Sequence, residues 1–156
     1  MKTVTLPVQE LTELVRLQLD SGANATIVVS GNSMHPMLHH RRDSVTLKKM
    51  TGFAKVGDVL YYQRNDGRFV LHRVIKIAAP GRYICSGDNQ CEHEPVAQDQ
   101  VIARVVSFTN RGRNVDCTAW GYRLYTWCFV KFMCLRRPYI WVRRALGRLA
   151  KRLRKK

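Results

Sequence analysis

Between Ala25 and about Thr118 the chain is written in short β-branched and aromatic segments separated by turn signals, and few architectures accommodate such a pattern. Strands are expected near 25–30, 44–49, 58–64, 68–78, 82–86, 100–108 and 113–118. Asn65-Asp66-Gly67 reads as a hairpin between two of them, because Asp-Gly favours the tight primed turns. Ala79-Pro80-Gly81 is a second turn. Many short strands at this spacing predict a mainly β domain, a small barrel or folded-over sheet. A length of 156 residues suits one such domain with a real core.

The two ends read differently. Pro7 to Leu19 predicts an amphipathic helix: Val8, Leu11, Val15 and Leu19 fall on one face, Leu14 lies beside them, and Ser21-Gly22 supplies a stop. Residues 1–24 are therefore expected as a helix packed on the β domain of 25–118. Residues 119–156 are expected as an aromatic and basic helical tail in which Trp120, Tyr122, Leu124, Tyr125, Trp127, Phe129, Val130 and Phe132 are interleaved with Arg123 and Lys131. Pro138 suits the start of a second helix, with Val142, Leu146, Leu149 and Leu153 as its apolar stripe. The longest apolar stretch here, Leu124 to Leu135, is interrupted by Lys131 and falls short of the roughly 20 residues a spanning helix needs.

Charge follows the same division. The formal net charge is +16, yet residues 1–110 hold 13 Lys/Arg against 10 Asp/Glu. Residues 111–156 hold 14 Lys/Arg and one acid, Asp116. A tail of that kind seeks a polyanion, either an anionic membrane surface or nucleic acid. Aromatics beside a leucine stripe favour the membrane over nucleic acid and over a packing helix followed by a disordered basic tail, with Trp120, Trp127, Trp141, Arg143 and Arg144 as expected contacts. Cysteines 85, 91, 117, 128 and 134 are odd in number and include no Cys-x-x-Cys, so neither a disulfide framework nor a zinc ribbon is indicated. The first twenty residues carry Glu10, Glu13 and Arg16 and do not read as a cleavable signal.

Reactive side chains are concentrated in the β region. Ala25-Thr26-Ile27-Val28-Val29 runs into Ser30-Gly31-Asn32-Ser33-Met34-His35-Pro36-Met37-Leu38. Gly31 allows a sharp turn, and Pro36 pushes His35 toward an extended conformation. Ser33 is thereby displayed at the end of a strand, where a nucleophile needs a base to take its proton. Phe69-Val70-Leu71-His72-Arg73-Val74-Ile75 supplies an imidazole on a strand, and Cys85-Ser86-Gly87-Asp88-Asn89-Gln90 supplies a carboxylate in a turn. Such groups can form a proton-relay triad, which geometry and not chain order defines.

These segments resemble the boxes of the signal-peptidase-like serine peptidases, a superfamily that includes the LexA-type self-cleaving repressors. Ser30 to Leu38 looks like the nucleophile box, Gly57-Asp58-Val59-Leu60-Tyr61-Tyr62 like the Gly-Asp-Val strand, Leu71-His72-Arg73-Val74 like the base box, and Gly87-Asp88-Asn89 like the acidic box. They stand in the family's order between Ile27 and about Phe108. Most relatives carry lysine as the base; His72 is similar to the SipW-like and endoplasmic-reticulum branch.

The resemblance implies a folded-sheet barrel, with Ser33 as nucleophile and His72 as base. Asp88 is expected to orient the ring, with Glu94 as the alternative acid. Gly31, Met34, Pro36, Arg73, Gly87 and Asn89 are the supporting positions. The Ser33 N–H is the natural oxyanion donor; the place where some relatives add a hydroxyl is Gly31. His35, His39, His40, Cys91 and His93 fit no standard metal spacing, so no metal and no cofactor are expected. Lys48 and Lys49 precede the base position by some twenty residues and read as surface lysines. The expected activity is endoproteolysis of a signal or leader peptide by a protein attached peripherally to a membrane, on its cytoplasmic face. The alternatives are a non-catalytic peptide- or nucleic-acid-binding module on the same fold, or a self-cleaving regulatory peptidase.

Overall fold

The computed structural model describes residues 7–132. Helix α1 (Val8–Asp20) leads into β1 (Ala25–Val28), β2 (Ser44–Lys48), β3 (Val59–Gln63), β4 (Phe69–Ala79), β5 (Arg82–Ser86) and β6 (Glu94–Ala97). A 3-10 turn, Gln98–Gln100, precedes β7 (Val101–Asn110), β8 (Arg113–Asp116) and α2 (Trp120–Lys131). The strands form one antiparallel sheet in the order β1-β2-β7-β3-β4-β5-β6, with β8 paired to β7. The fold is mainly β, and the sheet is curled into a half-barrel. Register shifts between Thr46 and Leu47, between Tyr61 and Tyr62, and at two places along β4–β5 supply that curl, because each bulge adds local twist.

Strand β3 explains why the sheet is covered on both faces. Val59, Leu60, Tyr61 and Tyr62 are all buried, with no alternation. Val59 and Tyr61 join a cluster with Val15, Leu19, Val45, Leu47, Val105 and Phe108. Leu60 and Tyr62 join a smaller one with Val74, Tyr83, Cys85 and Val96. A strand buried on both sides reads as a continuous apolar run, and this one does.

Helix α1 packs as expected, but through a rotated face. Val15 and Leu19 are buried, Leu11 is partly so, and the Thr12 hydroxyl shares a 2.6 Å hydrogen bond with Tyr61 OH. Facing Thr12 inward swings Leu14 out, and Val8 overhangs the first turn; both are about half exposed. The Asn65–Gly67 loop also differs from the two-residue turn expected. Arg64 N–H donates to Arg68 O at 2.8 Å and Gly67 N–H to Arg64 O at 2.9 Å, so three residues connect the strands, with Gly67 at φ +82°. That is the geometry of a type I turn closed by a left-handed glycine.

Strand β6, Glu-Pro-Val-Ala, escaped the sequence reading because glutamate and proline are poor strand formers. It lies at the sheet edge, where proline's missing N–H costs little. Trp141, Arg143, Arg144 and the leucine stripe after Pro138 lie outside the described residues. Among the described residues no helix is long and apolar enough to cross a membrane.

Candidate active site

Ser33 sits on a turn anchored from below. Gly31 has φ +97° and its N–H donates to His40 Nδ1 at 2.8 Å. Met34, Met37 and Leu38 sink into the larger core cluster. His35 N–H donates to Asn32 O at 3.2 Å and Leu38 N–H to Met34 O at 3.0 Å, so the segment coils into successive turns. Burial of three apolar side chains within five residues requires that coiling. The His35–Pro36 peptide is cis, and Pro36 lies at the surface. Ser33 is half-buried, and its N–H and hydroxyl have no protein partner among the described residues.

The acidic box grips this turn from the side. Asn89 N–H donates to Ser33 O at 2.7 Å, and Asn89 Nδ2 to Asn32 O at 3.3 Å. A Cβ added at Gly87 would lie 2.8 Å from Ser33 O and 3.1 Å from Ser33 Cβ. The glycine is thus required by close approach. In the β4–β5 register Arg73 pairs with Ser86, the residue before Gly87, so the serine turn docks at the end of the strand beside the one that carries His72. Ser33 and His72 are not hydrogen-bonded to each other in this structure.

His72 is 2% exposed on the smaller-core face of β4, opposite Leu60. Its Nδ1 meets Glu94 Oε1, and Tyr62 OH lies 3.1 Å from the same nitrogen. A carboxylate is acceptor only, so Nδ1 carries the proton and Nε2 is left as the base. Burial lowers the imidazole pKa below the usual 6.5, against the upward pull of Glu94. Glu94 is in turn held: Arg64 Nε donates to Oε2 at 2.6 Å, Arg64 Nη2 to Oε1 at 2.9 Å, and Tyr62 OH also donates to Oε1. Burial pushes the Glu94 carboxyl up, but the bonds from Arg64 and Tyr62 outweigh it and leave the pKa below the ordinary value. A cleft of about 340 Å³, lined by Arg64, Gln90, Glu92, His93 and Glu94 among others, opens beside it.

Asp88 was the expected partner of the ring, but the hydrogen bonds of its carboxylate go to a different side chain. Its carboxylate accepts Arg73 Nε at 2.9 Å and Arg73 Nη2 at 2.8 Å, with both side chains fully buried. The acid on Nδ1 is Glu94. The reason is alternation: Arg73 follows His72 in β4 and therefore faces the other side of the sheet, taking Asp88 with it. Glu94 pairs with Cys85 in β6 and shares the face of Val74 and His72.

No family model and no curated protein matches this chain.

The remaining candidates occupy structural posts. His39 stacks edge-on against His35 and contacts Asp43, whose carboxyl is held well below the ordinary range chiefly by Arg42. Lys49 makes an exposed ion pair with Asp20. Tyr62 and Arg64 were not singled out from sequence as site residues, although Tyr62 closes the quoted Gly57-Asp58-Val59-Leu60-Tyr61-Tyr62 segment. Together the groups offer a half-buried hydroxyl, a buried neutral imidazole with a fixed tautomer, and an ionised carboxylate able to stabilise imidazolium.

Proposed function

We propose that the chain is a serine endopeptidase of signal-peptidase-like fold, cutting a signal or leader peptide with Ser33, His72 and Glu94. The observation that carries the reading is the neutral, buried His72, protonated on Nδ1 by its carboxylate contact, with the serine turn docked on the adjoining strand. Ser33 Oγ attacks the scissile carbonyl as His72 Nε2 takes its proton, and the tetrahedral oxyanion is met by the unpartnered Ser33 N–H. His72 then passes the proton to the leaving amine, and water releases the acyl group by the same relay. The curled antiparallel sheet agrees with the family's architecture, and an edge strand gives an extended peptide main-chain hydrogen bonds. The basic, tryptophan-bearing C-terminal region supports peripheral attachment to an anionic bilayer surface.

A fluorophosphonate probe followed by mass spectrometry tests the chemistry. Label is expected on Ser33, lost in Ser33→Ala and reduced at least about a hundredfold in His72→Ala. Full labelling of His72→Ala would remove the histidine from the mechanism.

A further inference from the structure

Helix α2 has two faces with different tasks. Tyr122, Tyr125, Thr126 and Phe129 lie on the inner one. Arg73 Nη1 donates to Tyr122 OH at 3.0 Å, to Thr126 Oγ1 at 3.1 Å and to Gly57 O at 3.0 Å. The rings of Tyr122, Tyr125 and Phe129 surround the guanidinium, with centroids 5.7, 5.8 and 5.5 Å from Cζ. Tyr125 OH stands 3.4 Å from Asp88 Oδ2. The helix is seated tightly: a Cβ at Gly57, where φ is +97°, would fall 2.5 Å from Thr126 Cγ2. On the outer face Trp120 is 79% and Trp127 59% exposed, with Leu124 between them and Arg123 and Lys131 on the same stripe.

The inner face reaches the nucleophile in three steps. Arg73 holds Asp88, Asp88 belongs to the Gly87–Asn89 turn, and that turn holds Ser33 O and packs on Ser33 Cβ. Arg73 Nη2 also contacts Met37 Sδ at 3.0 Å, inside the serine turn itself. We infer that Tyr122, Tyr125 and Thr126 are positioning residues for Ser33, and that an anionic bilayer bound to the outer face of α2 raises the reactivity of that serine. The inference rests on the peptidase reading. The bilayer is the occupant because two cations flank the tryptophans on the outer face alone, in a region where residues 111–156 carry 14 Lys/Arg against one acid. Headgroups that meet this stripe select the helix with its hydroxyls turned to Arg73. A ligand that prefers the docked helix shifts the population toward it, and Ser33 gains by the same coupling.

The test uses the full chain and the rate of fluorophosphonate labelling at Ser33. Vesicles of phosphatidylglycerol with phosphatidylcholine are expected to raise that rate roughly 5- to 100-fold, and phosphatidylcholine alone to leave it unchanged. Thr126→Val and Tyr122→Phe should lower the rate with and without vesicles, Thr126→Ser should restore it, and the pH midpoint set by His72 should not move. A thermal melt of each variant identifies loss of fold. Equal rates on and off anionic vesicles that demonstrably carry the protein would overturn the inference, as would failure to bind them. Full reactivity of Thr126→Val together with Tyr122→Phe would overturn the positioning role. Absence of Ser33 label under every condition sinks the peptidase reading as well, whereas label indifferent to lipid and to α2 sinks this inference alone.

Discussion

His72 and Arg73 are neighbours in β4, equally buried, and each meets a carboxylate, yet their surroundings produce opposite behaviour. On the His72 face the base is desolvated and neutral, and its acid, Glu94, keeps 24% of its side chain in solvent. On the Arg73 face both partners are withdrawn from water, a permanent cation is wrapped by three aromatic rings, and every visible contact is structural. In the proposed peptidase one side moves a proton; the other holds still. Two acids with similar sequence credentials are thereby given different work.

The sharpest way to break this contrast is to neutralise each acid in turn. Glu94→Gln leaves the ring without a charge to stabilise its imidazolium and no longer fixes the tautomer. Ser33 labelling should fall by about 10²- to 10⁴-fold, with little change in the unfolding midpoint. Asp88→Asn leaves a fully buried guanidinium without its counter-charge, which costs about 3–5 kcal/mol of stability in denaturant unfolding. Its residual activity per folded molecule should exceed that of Glu94→Gln. A reversed outcome, with Asp88→Asn stable but unreactive and Glu94→Gln nearly normal, would return the catalytic role to Asp88.

The same contrast shows what the sequence can and cannot reveal. Seven of the eight strands and helix α1 were legible, since alternation, turn dipeptides and helical spacing are local signals, and α2 falls within the expected helical tail without its bounds having been marked. The serine, the imidazole and the glycines of the boxes were legible for the same reason. Strand β6 was not, because Glu94-Pro95-Val96-Ala97 has no strand composition and is held only by pairing to β5. Without the pairing of β6, nothing local turns Glu94 toward His72, and the motif alone favours Asp88. Arg73 was legible as a motif residue, but its meeting with Tyr122 and Thr126, about fifty positions away, is a tertiary fact with no local signature.

A second test concerns how closely the serine turn is seated. In Gly87→Ala the new methyl meets a backbone oxygen and Cβ of Ser33, neither of which can yield like the end of a flexible chain. Overpacking should cost about 1–3 kcal/mol. The larger consequence is a displaced nucleophile, and misplacement on the ångström scale lowers rate on the order of 10²-fold. A Gly87→Ala protein that labels at the wild-type rate would mean the turn does not set Ser33.

The smallest effect is one of pH. Only neutral His72 acts as a base, and burial holds its pKa below 6.5, so the labelling rate should stay on its plateau as pH falls through 6.5 and decline only below it. Stability follows the same sign. The folded-state pKa is depressed, so the contribution of the neutral ring is full above the unfolded pKa of about 6.5 and is lost as pH falls through the folded value. Titrating the His72 ring by NMR in Ser33→Ala measures the shift directly. A midpoint above 6.5 would mean that the charge of Glu94 outweighs burial, and the proton-moving face of β4 would then be held by an ion pair much as its neighbour is.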